Sequence, residues 1–264
     1  NDTITFGTGQ DVIKAGLGND TVRSGGGNDL IYLTGGTDHV DGGAGHDTVD
    51  YSESTLGVRT SLATTAVQTV NTQSHETLLS IENLTGSEHN DVLTGNAGAN
   101  ILRGNGGNDT LKGSGGRDTL SGGAGHDVID GGSGSDHLAG GAGADRVVYS
   151  SAADSTGSHY DVIRGFDGYS DSFDVPGVIT GIDAAVNHGA LSSTSFDANL
   201  SADLNASHLA AHHAVEFTPN SGSLAGDHFL VVDANGVAGY QAGADLVIEL
   251  SAPSSLQSKQ VDFI

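Results

Sequence analysis

The feature that most constrains this chain is a phrase of nine residues. From Gly86 to Val148 it reads GSEHNDVLT, GNAGANILR, GNGGNDTLK, GSGGRDTLS, GGAGHDVID, GGSGSDHLA, GGAGADRVV. In each copy a glycine-rich turn leads to Asp91, Asn100, Asp109, Asp118, Asp127, Asp136 or Asp145, and two residues later comes Leu, Ile or Val. A fixed period this short marks a stacked repeat. Each nonapeptide supplies one turn and one short strand, so it buries its single aliphatic side chain only when neighbours stack on it. The first residues obey the same rule. Asp2, Asp11, Asp20, Asp29, Asp38 and Asp47 fall nine apart, followed two positions on by Ile4, Ile13, Val22, Ile31, Val40 and Val49. Because Asn1-Asp2-Thr3-Ile4 begins in mid-repeat, the sequence reads as a fragment or a processed product.

Two nonapeptides make one full coil, so residues 18 apart face each other across one strand spacing of about 4.8 Å. Two bare carboxylates ~5 Å apart repel by roughly 1 to 3 kcal/mol, and along a stacked edge that cost accumulates. A hard divalent cation between the turns reverses the sign. Ca²⁺ suits carboxylate and carbonyl oxygens in flexible six- to eight-fold geometry, whereas Mg²⁺ wants smaller octahedral sites and keeps its water. Glycine at turn positions two and four lets the chain reach positive φ and aim carbonyls inward.

Composition agrees. Of the 33 acids 27 are Asp and 6 are Glu, against 9 Lys and Arg, for a net charge of −24. Duplex nucleic acid needs a cationic footprint and is excluded as a partner. A generic solubility surface would mix Glu with Asp and would not space the Asp at nine. The absence of Cys removes disulfides and thiolate metal sites. For an exported protein, stability must then come from elsewhere, and bound metal is the obvious source. No apolar run reaches the ~18 residues that span a bilayer, and the residues from Asn1 do not read as a basic, then apolar, signal, so the address of an exported chain is expected elsewhere.

The phrase Gly-Gly-x-Gly-x-Asp-x-aliphatic-x, as in Gly122 to Asp130, resembles the calcium-binding RTX (repeats in toxin) nonapeptide of hemolysins, serralysin-type metalloproteases, secreted lipases and alginate epimerases. The resemblance implies an all-β fold, a parallel β-roll with a calcium row on each edge. It divides the chain into a first block (1–50), connecting strands (51–85), a second block (86–148) and a mainly β C-terminal domain (149–264). In that family each ion shares the carboxylates of turns n and n+2 with main-chain carbonyls of their glycine positions. The pairs implied here are Asp2/Asp20, Asp11/Asp29, Asp20/Asp38, Asp29/Asp47, Asp91/Asp109, Asn100/Asp118, Asp109/Asp127, Asp118/Asp136 and Asp127/Asp145. The glycines implied are Gly7, Gly9, Gly16, Gly18, Gly25, Gly27, Gly36, Gly43 and Gly45 in the first block. In the second they are Gly98, Gly107, Gly116, Gly123, Gly125, Gly132, Gly134, Gly141 and Gly143. About nine or more Ca²⁺ ions follow from the two-carboxylate scheme, and nine would bring the net charge to −6. Three turns depart from the pattern and are expected to be weaker or distorted: Gly86-Ser87-Glu88-His89, Leu33-Thr34 and the one that ends in Asn100.

The segment 51–85 loses the glycine period. Alternation in 58–62 and 66–70 suggests two strands, a hairpin capping one roll before the next, and the offset of 44 from Asp47 to Asp91 puts the blocks out of register. Beyond Val148 lie ten of the 13 aromatics and all three prolines, which marks a conventional packed domain. Strands are expected near 162–166, 228–232 and 246–250, and a helix over 203–215. Residues 148–174 are similar to the segment after the roll of serralysin-type proteins, which implies calcium at Asp154 and Asp161. The closing Val261-Asp262-Phe263-Ile264 is similar to the C-terminus of type I secretion substrates. That similarity implies an extracellular or cell-surface protein with the type I secretion machinery as partner.

Other chemistry is thin. His208, His212 and His213 lack the Glu and the third ligand of a helical zinc site, and His75-Glu76-Thr77-Leu78-Leu79 lacks a second His. No Ser has Gly at both −2 and +2, as a lipase nucleophile elbow requires. Asp233-Ala234-Asn235-Gly236 starts like an EF-hand loop but reads better as a turn. No Gly-Lys-Ser/Thr follows any glycine run, so no phosphate loop is present. The sequence thus reads as a non-enzymatic, calcium-binding module of an exported protein. The alternatives are a self-assembling surface-layer, filament or adhesin protein, with self-association or cell-surface polysaccharide as partner, and the C-terminal part of a secreted hydrolase.

Overall fold

The computed structural model describes residues 1–251 and 262–263, the last two by backbone alone. The chain divides into two compact units, Asn1–Ile129 and Asp130–Ile264, a division that falls inside the second repeat block.

In the first unit the nine-residue phrase becomes short parallel strands stacked at an offset of 18. Thr3–Thr5 pairs with Thr21–Arg23, which pairs with the end of Leu30–Asp41 (Val22 opposite Val40). On a second ladder Val12–Leu17 pairs with the start of Leu30–Asp41, which pairs with Thr48–Asp50 (Ile31 opposite Val49). The second block repeats this: Ile101–Gly106 on Thr119–Ala124, and Val92–Thr94 on Thr110–Lys112. Alternation within each strand sends one residue inward, and those residues form the core: Ile13, Val22, Ile31, Val40, Val49, Leu93, Leu102, Leu111, Leu120 and Ile129 are all buried. Ile4, on the first strand, is only partly buried. Leu111→Ala is expected to lower the stability of the calcium-loaded protein by about 2 to 5 kcal/mol, because a stacked column cannot collapse around a missing rung; thermal melting in saturating calcium reads it.

The connecting segment carries the finding that the sequence concealed. Asn83–Thr85 pairs in parallel with both Thr48–Asp50 and Ile101–Gly106, so Val49, Leu84 and Leu102 stand in one column. The blocks are therefore joined on one continuous ladder, although the step from Thr48 to Asn83 is 35 residues and not 18. Ser74–Leu79 extends the other ladder of the first block (Val40 opposite Leu78), and Arg59–Ser61 opens the other ladder of the second (Thr60 opposite Leu93). The two expected strands of this segment do form near their places, at Arg59–Ser61 and Gln68–Thr69. The hairpin, however, is Gln68–Thr69 against Ser74–Leu79, because Asn71 and Gln73 make the turn between them.

In the second unit His137–Ala142 pairs in parallel with Asp161–Arg164, which pairs with Leu246–Ser251. Phe229–Val232 and His213–Phe217 follow antiparallel. Arg146–Val148 pairs with Ser172–Asp174, and that strand with Asp262–Phe263. Val261 and Ile264, with the rest of 252–261, lie outside the described residues. The conventional core gathers Phe196, Leu200, Leu209, Phe217, Phe229 and Val247. The helix is Phe196–Asp203, not 203–215. Asn205 diverts the chain by accepting the amides of Ser207, His208 and Leu209, and His212 sits at φ 58 before the strand begins.

Candidate metal centre

Stacking at an offset of 18 brings together every expected acid pair that lies within the first unit. In seven of these pairs the amide N–H of the earlier residue donates to Oδ1 of the Asp 18 residues on. The distances are 2.6 Å for Asp2 to Asp20, 2.9 Å for Asp11 to Asp29, and 2.8 Å for Asp20 to Asp38 and Asp29 to Asp47. They are 2.8 Å for Asp91 to Asp109, Asn100 to Asp118 and Asp109 to Asp127. Asp20, Asp29, Asp38, Asp47, Asp109, Asp118 and Asp127 are buried.

The second oxygen carries the chemistry. Oδ2 of Asp20, Asp29, Asp38, Asp47 and Asp109 is buried and has no hydrogen-bond partner. An ionised carboxylate oxygen left so in a dry interior is costly, and the ordinary response is to take up a proton. Burial accordingly raises Asp38, Asp47 and Asp118 to about 6 and Asp109 to about 7, against the pull of the amide N–H that each accepts. The neighbouring carboxylates Asp20, Asp29 and Asp91 add repulsion to Asp38, Asp47 and Asp109 respectively.

The turns cradle these oxygens. A Cβ built on Gly42 would lie 2.5 Å from Asp47 Oδ2, and one on Gly104 would lie 2.1 Å from Asp109 Oδ2. Positive φ occurs at the implied glycines except Gly7 and Gly98, and Asn105 and Ser114 adopt it at position two. Carbonyls of one turn press on the Cα of the turn 18 on: a Cβ at Gly27 would stand 1.9 Å from Gly9 O, and at Gly125 1.8 Å from Gly107 O. The position-two carbonyls of Gly7 and Gly25 also accept amides from Gly26 and Ala44 at 2.8 Å. Among the described residues no three His, Cys, Asp or Glu side chains converge on a metal position. A cation here would draw on two carboxylates at most and complete its shell from main-chain oxygens, which is a hard-cation donor set. The fit is good on the buried oxygens that lack a donor, and poor for any ion that needs nitrogen or sulfur.

The three departing turns differ from one another. Asp91 has both oxygens engaged, Oδ1 by Val58 N at 2.7 Å and Oδ2 by Ser87 N at 2.6 Å. Asn100 accepts Asn96 N and donates to Glu82 O, each at 2.8 Å. Neither leaves a bare oxygen. At the Leu33-Thr34 turn Gly35 and Gly36 keep positive φ, and Asp38 Oδ2 stays open.

In the second unit Asp136 N donates to Asp161 Oδ1 at 2.8 Å, and Asp145 N to Asp171 Oδ1 at 3.0 Å. The ladder thus continues at offsets of 25 and 26. Gly132, Gly134, Gly141 and Gly143 all have positive φ. Asp161 Oδ2 has no partner, and burial raises Asp161 to about 8. Asp154 bears on Asp161 electrostatically, but its own Oδ2 accepts the amides of Ser150 and Ser151 and caps the turn Ala152–Asp154.

Sequence reasoning passed over Glu76, Glu82 and Asp171. Glu82 Oε2 accepts Asp47 N at 2.9 Å, and Glu76 stands opposite Asp38 in the register. The signal was present: Glu76-Thr77-Leu78, Glu82-Asn83-Leu84 and Asp171-Ser172-Phe173 each state the acid–x–apolar phrase without glycines. The remaining candidates are engaged elsewhere. Asp233 accepts Gly236 N at 2.7 Å and His212 N at 2.8 Å, and Asp245 accepts Gln241 N at 2.7 Å, which makes a braced turn. His208 Nδ1 meets Asp203 O at 2.7 Å and His213 Nδ1 meets Asp183 at 2.9 Å.

Residues 14–49, 85–120 and 112–147 match the family described as RTX calcium-binding nonapeptide repeat. No curated protein matches the chain. Among solved structures, the AlgE6R3 subunit of the Azotobacter vinelandii mannuronan C5-epimerase is similar at 23% identity over 67% of this chain and 80% of that one, with a TM-score of 0.28. The extracellular lipase LipA of Serratia marcescens is similar at 19% identity over 100% of this chain and 40% of the lipase, with a TM-score of 0.25. The chain thus spans less than half the length of that lipase. The glycine turns, the buried acids and the aliphatic column coincide with the matched residues, and over those residues the chain matches the RTX calcium-binding nonapeptide repeat.

Proposed function

We propose that this chain is a non-enzymatic β-roll module of a type I secreted protein. It folds on meeting Ca²⁺ outside the cell and stabilises the larger protein that carries it. The observation behind this reading is the row of buried Asp oxygens without hydrogen-bond donors. Such a row opposes folding while it is ionised and bare, and favours folding once hard cations lie along it. In low-calcium cytosol the module stays open for export through a narrow channel; in calcium it closes. Among the described residues no helix is long and apolar enough to cross a membrane.

The pairs brought together in the two units, with Glu82, Asp161 and Asp171 extending the rows, provide for about nine or more ions on the two-carboxylate scheme. Calcium titration followed by circular dichroism and sedimentation tests the reading. The expected result is a cooperative gain of strand signal in a particle that stays monomeric. Ordered arrays or fibres would favour a self-assembling structural protein, and strand content indifferent to calcium would overturn the proposal.

A further inference from the structure

Two rungs at the start of the second block are closed by the protein itself. Buried Asp91 accepts the Val58 N–H at 2.7 Å and the Ser87 hydroxyl at 2.9 Å on Oδ1, and the Ser87 N–H at 2.6 Å on Oδ2. Buried Asn100 accepts the Asn96 N–H and donates from Nδ2 to Glu82 O, each at 2.8 Å. In both turns one donor is the main-chain N–H four residues back, at position two. Among the described residues, positive φ outside glycine occurs at Ser80, Asn105, Ser114 and His212, so Ser87 and Asn96 lie in the ordinary region. In the turns that lead to Asp20, Asp29, Asp47 and Asp109, position two (Gly16, Gly25, Gly43, Asn105) has positive φ, and Oδ2 receives no donor. The Leu33-Thr34 turn is open for another reason, because Leu30–Asp41 runs straight through it as strand. In the second unit the clasp recurs: Asp171 Oδ2 accepts the N–H of Asp167, four residues back, at 2.8 Å.

We propose that these clasped turns are metal-free fastenings, and that the junction they make between the two blocks folds first and is the last part of the first unit to open when calcium is withdrawn. The inference rests on the calcium reading of the repeats. An open rung forces an ionised oxygen without a donor into a dry interior. At the junction that opposition is absent, since Asp91 has three donors and Asn100 carries no charge. The clasps also reach outside the repeats. Val58 and Glu82 belong to the connecting segment, so the bonds to Asp91 and Asn100 tie that segment to the second block. Two further side-chain bonds brace the same stretch: Asn83 Oδ1 accepts Ile101 N at 2.9 Å, and Asn105 Nδ2 donates to Gly86 O at 2.9 Å. From Asn83–Thr85 the ladder runs into Thr48–Asp50 on one side and Ile101–Gly106 on the other. Each block can therefore add coils to this seed as ions arrive, neighbour by neighbour. The turns that depart from the repeat at Ser87 and Asn100 are, on this account, anchors that the rows of ions start from.

Hydrogen exchange read by mass spectrometry at pH 7.5, over a series of free calcium concentrations, tests this on the full chain. Peptides from 83–103 are expected to keep half their protection at roughly tenfold less calcium than peptides from 20–50 and 107–127, a factor on the scale of one hydrogen bond to a charged group. Asn100→Asp replaces the donor to Glu82 O by a second carboxylate oxygen. It is expected to raise the calcium needed for 83–103 to that of the open rungs, with the fold at saturating calcium unchanged by circular dichroism. Peptides from 83–103 that open together with the others, or before them, overturn the proposal, as does a folded Asn100→Asp with an unmoved midpoint. If Asn100→Asp does not fold, the order of opening in the unsubstituted chain decides alone. Protection that ignores calcium in every peptide defeats the calcium reading of the repeats itself, and this inference with it.

Discussion

Chelating calcium at pH 7.5 is expected to abolish most of the strand signal, and acidifying the chelated sample to pH 5 is expected to restore part of it. The sign follows from the direction of the shifts. In the metal-free fold burial raises Asp38, Asp47 and Asp118 to about 6, Asp109 to about 7, and Glu76 and Asp161 to about 8. In the unfolded chain these groups titrate near 4. Groups raised in the folded state favour it fully below the unfolded values, and that contribution is lost as pH rises through 6 to 8. Neutral, calcium-free solution is therefore where the fold is weakest. Calcium needs the deprotonated carboxylates, so the concentration for half-maximal folding should fall as pH rises over the same window. Circular dichroism at 218 nm, with and without chelator from pH 5 to 8, reads all of this; a strand signal unmoved by chelator at pH 7.5 would show that the rolls need no metal.

Placing a single methyl group on Gly36 is expected to prevent the first unit from folding properly even in saturating calcium. Its φ is +127°, and a Cβ there would stand 1.6 Å from the carbonyl oxygen of Gly18. Backbone, not a mobile side chain, is in the way, so the turn 18 residues earlier must shift and take its ladder with it. Strain in the backbone costs about 1 to 3 kcal/mol, and overpacking against a fixed neighbour adds about 1 to 3 kcal/mol more. Gly16 is the internal control. It also has positive φ, +85°, but a Cβ there meets nothing within 4 Å. Gly16→Ala should thus show the conformational cost alone, and the difference in melting temperature between the two variants isolates the closeness of the stack. Equal losses would mean that the turns do not press on one another.

Most of the roll was legible because a single phrase, acid–x–aliphatic at a spacing of nine, encodes turn, strand and register together. What escaped notice were the places where the phrase persists without its spacing. Glu82 and Leu84 stack on Asp47 and Val49 across 35 residues, and Asp171 on Asp145 across 26. Loop-closure entropy grows only slowly with length, so an excursion of that size adds little to the cost of returning to the stack. A search for periodicity is blind to it. The helix was misplaced for a different reason: the apolar spacing of 203–215 resembles a helical face, and the local hydrogen bonds of Asn205 outweigh it. The stacked acid pairs were legible from the spacing of nine, but the open Oδ2 atoms belong to the stacked geometry and leave no mark in sequence.

The ladder that runs through Val49, Leu84 and Leu102 has a consequence for how such a chain can grow. Its grammar counts coils, not residues. A stretch of any composition can be spliced in at a corner provided that it ends on an acid, any residue and an apolar one, because those three places alone must rejoin the column. The segment between Tyr51 and Ile81 is such a parenthesis: it lays Arg59–Ser61 on one block and Ser74–Leu79 on the other, and the loop 62–67 is where its length is free to change.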